Sequence, residues 1–324
     1  MADSVLIETR GLRKAFRTRG KKGTATVEAV RGVDLSVGEG EIFGFLGPNG
    51  AGKTTTLRML ATLLTPDGGE ATVAGADLRR SPGAVRQRIG YVAQGGSTWD
   101  DSTAREELVL QARLYGIGKA EALDRAARAL AAFQLTEYAD RKCKTYSGGQ
   151  RRRVDIALGI IHGPRVVFLD EPTTGLDPQS RAHMWDEVRR LRAEGMTVFL
   201  TTHYLDEADA LCDRIAIMDA GLVVAEGTPA ELKRDISGDV LVVGLAPGVG
   251  ERAAALLRHE SYVNRLDVSE GGSLRLHVDD GATVIPHVLR ALDGAGLSLS
   301  TVELHRPSLD DVFLTKTGRS LRES

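Results

Sequence analysis

Three short stretches of the chain are apolar almost without alternation: residues 42–46, 165–169 and 197–202. Runs of this kind suit strands buried on both faces of a parallel sheet. Other segments alternate. Residues 5–9, continued by 11–16, read as one strand, and residues 27–37 as a strand pair after it. The basic, Gly-containing segment between them, Arg17-Thr-Arg-Gly-Lys-Lys-Gly23, reads as a solvated hairpin loop. Residues 70–74 predict a short strand. Residues 102–115 and 119–133 carry helical periodicity, with Leu108, Ala112 and Tyr115 on one face and Leu123, Ala127 and Leu130 on another. A helix opens at Ser147, with Ile156 and Ile160 on its apolar face, and Gly163-Pro164 ends it. Further helices are expected over 181–194 and 206–212. Residues 215–218 and 222–226 form a hairpin through Asp219-Ala-Gly221.

The pattern changes near residue 236. Strand 240–245, helix 250–259, strands 262–269 and 273–278, helix 282–295 and strand 297–305 give the order β-α-β-β-α-β, the ferredoxin-like arrangement. A last helix follows Ser308, whose partner three residues on, Asp311, makes a capping-box variant. Two domains are therefore expected, residues 1–235 and 236–324, with a helical insertion at about 95–160 in the first. The chain's 324 residues are enough for both, and 42% hydrophobic with 27% charged is ordinary for a globular protein.

Charge and cysteine usage narrow the function classes. A net charge of −2 argues against an electrostatic nucleic-acid binder. Cys143 and Cys212 stand far apart, as reduced thiols of a cytosolic protein do. No signal pattern opens the chain, and no apolar run reaches the ~18–20 residues that span a bilayer. His259, His277, His287 and His305 are scattered on alternating or amphipathic patterns and read as structural.

The chemistry begins at Gly47-Pro-Asn-Gly-Ala-Gly-Lys-Thr-Thr55, between an apolar strand and a helix. That context makes it a P-loop. Its glycines let backbone N–H groups curl around an anion, and the helix adds roughly half an elementary charge at the same place. Lys53 reaches the outer phosphates and the Thr54 hydroxyl can ligate Mg²⁺. Asp170 and Glu171 end the apolar strand before Pro172. One carboxylate there can hold Mg²⁺ and the other can polarise the attacking water as general base. Ser147-Gly-Gly-Gln150 is a second anion cradle, built from a hydroxyl, bare N–H groups and a helix N-terminus. Two cradles make sense if they close on one nucleotide from two copies of the chain.

An ordered set of motifs then resembles the nucleotide-binding subunit of ATP-binding-cassette (ABC) transporters over residues 5–235: Gly47–Thr55, Gln94, Tyr146-Ser-Gly-Gly-Gln150, residues 166–171, Gly175-Leu-Asp177 and His203. Within that family, Thr201-Thr-His-Tyr-Leu-Asp-Glu-Ala208 and Ser308-Leu-Asp-Asp-Val-Phe-Leu314 resemble the daunorubicin/doxorubicin-resistance exporter ATPases. The resemblance implies an α/β P-loop NTPase cassette, with RecA-like core, antiparallel β subdomain and α-helical subdomain, plus the small α+β ferredoxin-like domain. It implies ATP and Mg²⁺ as cofactors. Phe16 would stack on adenine. Gly47, Asn49, Gly50, Ala51, Gly52, Lys53, Thr54 and Thr55 would hold the phosphates, with Thr54, Gln94 and Asp170 arranging Mg²⁺. Glu171 would be the general base and His203 would contact the γ-phosphate, with Lys53 the third catalytic residue. Ser147, Gly148, Gly149, Gln150 and Asp177 would bear on the nucleotide of a second copy in a head-to-tail dimer. Tyr146 stands where Leu is commoner, which implies tuning of the signature. The region around 95–115, including Trp99-Asp-Asp-Ser102, would meet a separate membrane permease. The protein would then sit in the cytoplasm, peripheral at the inner face of the membrane, with no nucleic-acid partner.

Two other functions compete. A non-transport ABC ATPase on ribosomes or nucleic acid would usually carry two cassettes or a long coiled coil, and this chain has one cassette and no heptad run. A GTP switch would need a base-reading motif that is not visible. The C-terminal domain is expected to support the dimer, or to bind a small regulator.

Overall fold

The computed structural model describes residues 4–20, 23–236, 238–246, 248–269 and 272–318. The chain divides into two compact units between Glu226 and Gly227.

In chain order the first unit contains β1 (Val5–Gly20), β2 (Gly23–Gly38), β3 (Ile42–Leu46), α1 (Lys53–Leu60), β4 (Gly68–Val73), β5 (Ala76–Asp77), α2 (Pro82–Arg88), β6 (Ile89–Val92), α3 (Ala104–Leu114), α4 (Lys119–Ala132), α5 (Gly148–Ile160), β7 (Val166–Asp170), α6 (Pro178–Ala193), β8 (Thr197–Thr202), α7 (Leu205–Leu211), β9 (Arg214–Asp219) and β10 (Leu222–Gly227). A six-stranded sheet has the order β10-β9-β3-β8-β7-β6. Its strands β3, β8, β9, β7 and β6 pair in parallel, and β3, β7 and β8 are buried at every residue. The apolar runs thus form the middle of the sheet. Register sets Phe43 and Phe168 on either side of Phe199, with ring centroids at 5.4 and 5.6 Å. These rings share one core with Leu6, Ile7, Val30 and Val33 of a second sheet, β2-β1-β4-β5.

The hairpin between β9 and β10 turns on Ala220 and Gly221, both at positive φ (45° and 83°), as a two-residue type I′ turn requires.

Four expectations are corrected in this unit. Residues 27–37 are not a strand pair but part of the single strand β2. Residues 17–20 and 23 of the basic segment are strand and not loop: β1 and β2 continue antiparallel pairing to Gly20↔Gly23. The ladder across to β2 satisfies the backbone groups of residues 17–20. Its turn lies outside the described residues. In α4 the buried row is Ala122, Ala126 and Leu130, whereas Leu123 and Ala127 are exposed. The two rows lie about 100° apart on the helix and share Leu130, so the larger side chain at 123 drew the reading to the wrong row. In α3, Leu108 and Ala112 are buried as expected, but Tyr115 follows the helix and stacks on His162 at 3.7 Å.

The second unit contains α8 (Pro229–Arg234), β11 (Asp239–Leu245), α9 (Gly250–Leu257), β12 (Arg265–Val268), β13 (Leu274–Val278), α10 (Gly281–Gly294), β14 (Leu299–His305) and α11 (Leu309–Thr317). The antiparallel sheet order β12-β13-β11-β14 is ferredoxin-like. Alternate residues Leu241, Val243 and Leu245 of β11 face a core completed by Ala253, Leu257, Val288 and Leu292 of the helices. Strand β12 is shorter than the expected 262–269, because the Val263 N–H donates to Glu260 O in a turn. Helix α11 has the capping box seen in the sequence: Ser308 Oγ accepts from Asp311 N–H and an Asp311 oxygen accepts from Ser308 N–H. It packs on α8, which places residues 227–235 with the second unit.

Candidate functional site

The parallel strands all end at one edge of the sheet, so the segments after β3, β7 and β8 converge there. Ligands of open α/β sheets bind at this edge. After β3 comes the P-loop. Gly47 is needed because a Cβ would lie 2.2 Å from Met218 O, and Gly52 because its φ is +106° and a Cβ would lie 2.3 Å from Ala29 O. No side chain caps α1, which leaves its first N–H groups for an anion. Lys53 is buried and donates to Gly47 O (2.6 Å) and Pro48 O (3.0 Å). Its Nζ stands 3.7 Å from Glu171 Oε1. Burial pushes the Lys53 ammonium below its ordinary pKa, while Glu171 and Asp170 oppose that shift.

Asp170, at the end of β7, is fully buried. Its Oδ1 accepts from Thr54 Oγ1 (2.9 Å) and Thr201 Oγ1 (2.8 Å), and its Oδ2 has no hydrogen-bond partner. A buried orphan carboxylate oxygen beside a hydroxyl fits a hard cation with oxygen ligands. Among the described residues there is no cluster of three or more His, Cys, Asp or Glu, so a cation here would take its remaining ligands from elsewhere.

Glu171 has φ +44°, a strained left-handed conformation for this residue type, and its N–H donates to Thr201. Its Oε2 accepts from Gln94 Nε2 (2.9 Å) and Thr174 Oγ1 (3.1 Å), and His203 Nδ1 lies 3.2 Å away. The His203 contact lowers the Glu171 pKa, burial opposes this, and Lys53 adds to the lowering. Glu171 is therefore a carboxylate at neutral pH. A cavity of about 520 Å³ is lined by Phe16, Ala29, Asn49, Gly50, Gly52, Lys53, Thr54, Thr55, Gln94 and Glu171. Phe16, from β1, is 37% exposed at its wall, with Lys14 Nζ 5.7 Å from its ring centroid. Gly47 and Ala51 are buried behind the loop and shape it without lining the cavity.

The remaining expected residues form a second cluster that lines no part of this cavity. Ser147 and Gln150 make a reciprocal capping box at the start of α5: Ser147 Oγ accepts from Gln150 N–H, and Gln150 Oε1 accepts from Ser147 N–H. A Cβ at Gly149 would lie 2.9 Å from Ser180 Oγ, so a side chain there would push the Ser180 hydroxyl aside. Ser180 in turn donates to Asp177, which caps α6. Gly148 approaches Leu176. Tyr146 donates its hydroxyl to Tyr138 O, and burial pushes its pKa to about 12, so it anchors the loop before the cradle.

Sequence reasoning did not single out Thr201, Thr174 or Arg152 as site residues. Thr201 stands in a quoted motif, two residues before His203, and that was the available signal. A groove of about 450 Å³ lies apart from both clusters, lined by Trp99, Leu110, Gln111, Leu114 and Tyr115 among others. Trp99 is 75% and Leu114 73% exposed there.

Known proteins resemble this chain along most of its length. The family described as ABC transporter matches residues 30–174, and the family described as ATP-binding protein DrrA1-3-like, C-terminal domain, matches residues 227–317. The chain is 47% identical to the daunorubicin/doxorubicin resistance ATP-binding protein DrrA of Streptomyces peucetius, over 96% of this chain and 92% of that one. It is 39% identical to the Nod factor export ATP-binding protein I of Burkholderia orbicola, over 91% and 93%. Among solved structures, an ATP-binding cassette in a dimeric post-hydrolysis state with ADP and Pi aligns at a TM-score of 0.62 and 26% identity, covering 68% of this chain and 98% of that one. No helix among the described residues is long and apolar enough to cross a membrane. The chain belongs to the ATP-binding subunits of ABC transporters, in the group with a DrrA-like C-terminal domain.

Proposed function

We propose that two copies of this ABC exporter ATPase close head to tail on ATP, and that hydrolysis reopens them to drive a separate membrane permease. The observation that carries this reading is the division of the site. The P-loop, Gln94 and Glu171 share one cavity, while the Ser147 cradle and Asp177 form a cluster of their own. A second copy, turned head to tail, supplies the missing half. Phe16 offers its ring to adenine, and Lys53 with the loop amides binds the β- and γ-phosphates. Glu171, ionised at neutral pH, accepts the proton of the attacking water, and His203 holds the γ-phosphate side of the site. Thr54 and Asp170, with Gln94 nearby, are the residues that would hold Mg²⁺. When bound, that ion neutralises charge on the phosphates. The γ-phosphate bridges the two copies, so its loss lowers their affinity.

The exposed groove at Trp99, Leu110 and Leu114 is the docking surface for the permease, which sets the subunit at the inner face of the membrane. The exported substrate is a drug, antibiotic or lipid-like molecule, in keeping with the resistance and export proteins that the chain resembles. The same likenesses favour transport over an action on ribosomes or nucleic acid.

Glu171→Gln tests the reading. It should keep ATP binding, lower phosphate release by about 10²–10⁴-fold and accumulate an ATP-dependent dimer in sedimentation. A variant that hydrolyses ATP like the parent and stays monomeric would overturn it.

A further inference from the structure

Arg152 lies on α5, five residues after Ser147, and is 6% exposed. Its guanidinium donates to three main-chain carbonyl oxygens: Nη1 to Ala93 O (2.6 Å), Nη2 to Asp170 O (3.1 Å) and Nε to Pro172 O (2.9 Å). These carbonyls belong to two separate segments. Ala93 directly precedes Gln94, while Asp170 and Pro172 flank Glu171. Burial of the charge pulls the Arg152 pKa down, and Asp155 and Asp170 oppose that. Burying a charge is costly unless it is well paired. A planar fork that meets three fixed carbonyls also holds their relative positions far more tightly than an apolar side chain would.

A second grip lies on the same helix. Asp155, 4% exposed, accepts from Ser97 N–H (2.7 Å), Ser97 Oγ (3.1 Å) and Thr98 N–H (3.2 Å). Gly96 at φ +74° lets the loop close on it, since a Cβ there would sit 2.8 Å from Asp155 Oδ2. Arg151 donates to Thr98 Oγ1 (3.2 Å) and pairs with Asp100. Helix α5 therefore holds residues 93–100 at several points, the end of β7 at Asp170 and the segment after it at Pro172.

We infer that Arg152 is a positioning residue that couples the two nucleotide sites: it ties the Gln94–Glu171 pair of one copy's hydrolytic site to the helix that presents Ser147 to the other copy. The inference rests on the head-to-tail clamp proposed above. When Gln94 and Glu171 engage a γ-phosphate, their flanking carbonyls shift, and the guanidinium passes that shift to α5. Arg152 touches no nucleotide itself. Its removal should leave single-site binding intact and uncouple the two sites.

The test uses the full chain with Arg152→Met and Arg152→Lys, set beside the parent. Binding of a fluorescent ATP analogue should change by no more than about twofold in either. In Arg152→Met, kcat should fall at least tenfold, and the Hill coefficient for ATP should drop toward one, since small misplacements of catalytic groups cost about 10²-fold. Arg152→Lys, which reaches fewer carbonyls, should fall between the two and serves if Arg152→Met does not fold. A purely structural role predicts a lower melting temperature with kcat per bound nucleotide and the Hill coefficient unchanged, and that result overturns the inference. Failure of the clamp itself would show differently, as no ATP-dependent dimer in Glu171→Gln whatever stands at position 152.

Discussion

Two glycines of the P-loop allow a controlled perturbation. Gly50 and Gly52 both have positive φ, +79° and +106°. Alanine at either carries backbone strain of about 1–2 kcal/mol. Their surroundings differ. A Cβ at position 50 has nothing within 4 Å, whereas one at 52 lies 2.3 Å from Ala29 O and 2.8 Å from Met218 Cε. Met218 can swing aside, but the Ala29 carbonyl belongs to β2 and cannot move without the strand. Overpacking of this kind adds about 1–3 kcal/mol. Gly52→Ala should therefore exceed Gly50→Ala by that margin, which for a unit of this size is a further fall in Tm of about 2–12 °C. Because Lys53 follows directly, the displaced loop should also weaken nucleotide binding more in Gly52→Ala. Thermal unfolding and titration with a fluorescent nucleotide measure both quantities. Equal losses in the two variants, or a larger loss in Gly50→Ala, would refute the claim that close approach to β2 dictates glycine at position 52.

Glu207 is fully buried on α7, where its Oε1 accepts from Thr173 Oγ1 (2.8 Å) and Trp185 Nε1 (3.2 Å). Burial raises its pKa, opposed by hydrogen bonds from Thr202, Thr173 and Trp185. A carboxyl raised in the folded state stabilises below its unfolded pKa of about 4.3, and this contribution fades as pH climbs through the folded value. The Tm of Glu207→Gln should thus gain on the parent as pH rises from about 5 to 8, and a gap that stays flat or shrinks contradicts the assignment. Glu207→Ala should cost about 1–3 kcal/mol for each donor it strands, read by denaturant unfolding. On the exposed groove, Trp99→Ala with Leu114→Ala should leave the ATPase rate of the isolated subunit within about twofold while weakening permease co-purification at least fivefold. Unchanged co-purification would move the docking surface elsewhere.

The parallel core was legible because β3, β7 and β8 are buried on both faces, which forces apolar residues at every position and leaves an unmistakable pattern. The phosphate-binding loop was legible because its glycines and Lys53 are dictated by local backbone geometry. Patterns that depend on distant partners were not. In α4 both candidate rows are apolar enough to be buried, and only packing decides between them. The strand character of residues 17–20 comes from pairing across the hairpin, not from local preference. Arg152 could not be read at all. Its partners are carbonyl oxygens of Ala93, Asp170 and Pro172, groups that every residue carries. Thr201 and Thr174 are similar cases, since a threonine in a strand or turn has many uses. The boundary between the units also escaped, because α8 looks like an end to the first unit until its contact with α11 is seen.

The central claim is that one nucleotide is held by the P-loop of one copy and the Ser147 cradle of another. A cross-link tests it most directly. Asn49 is exposed in the P-loop and Ser147 opens α5, while the native Cys143 and Cys212 are buried. In the Glu171→Gln background, with Asn49→Cys and Ser147→Cys in the same chain, a short bifunctional maleimide should yield a covalent dimer with ATP and Mg²⁺, and little with ADP. Each single-cysteine variant should give none. A cross-link that forms equally without nucleotide, or that joins the two positions only within one chain, would contradict the account.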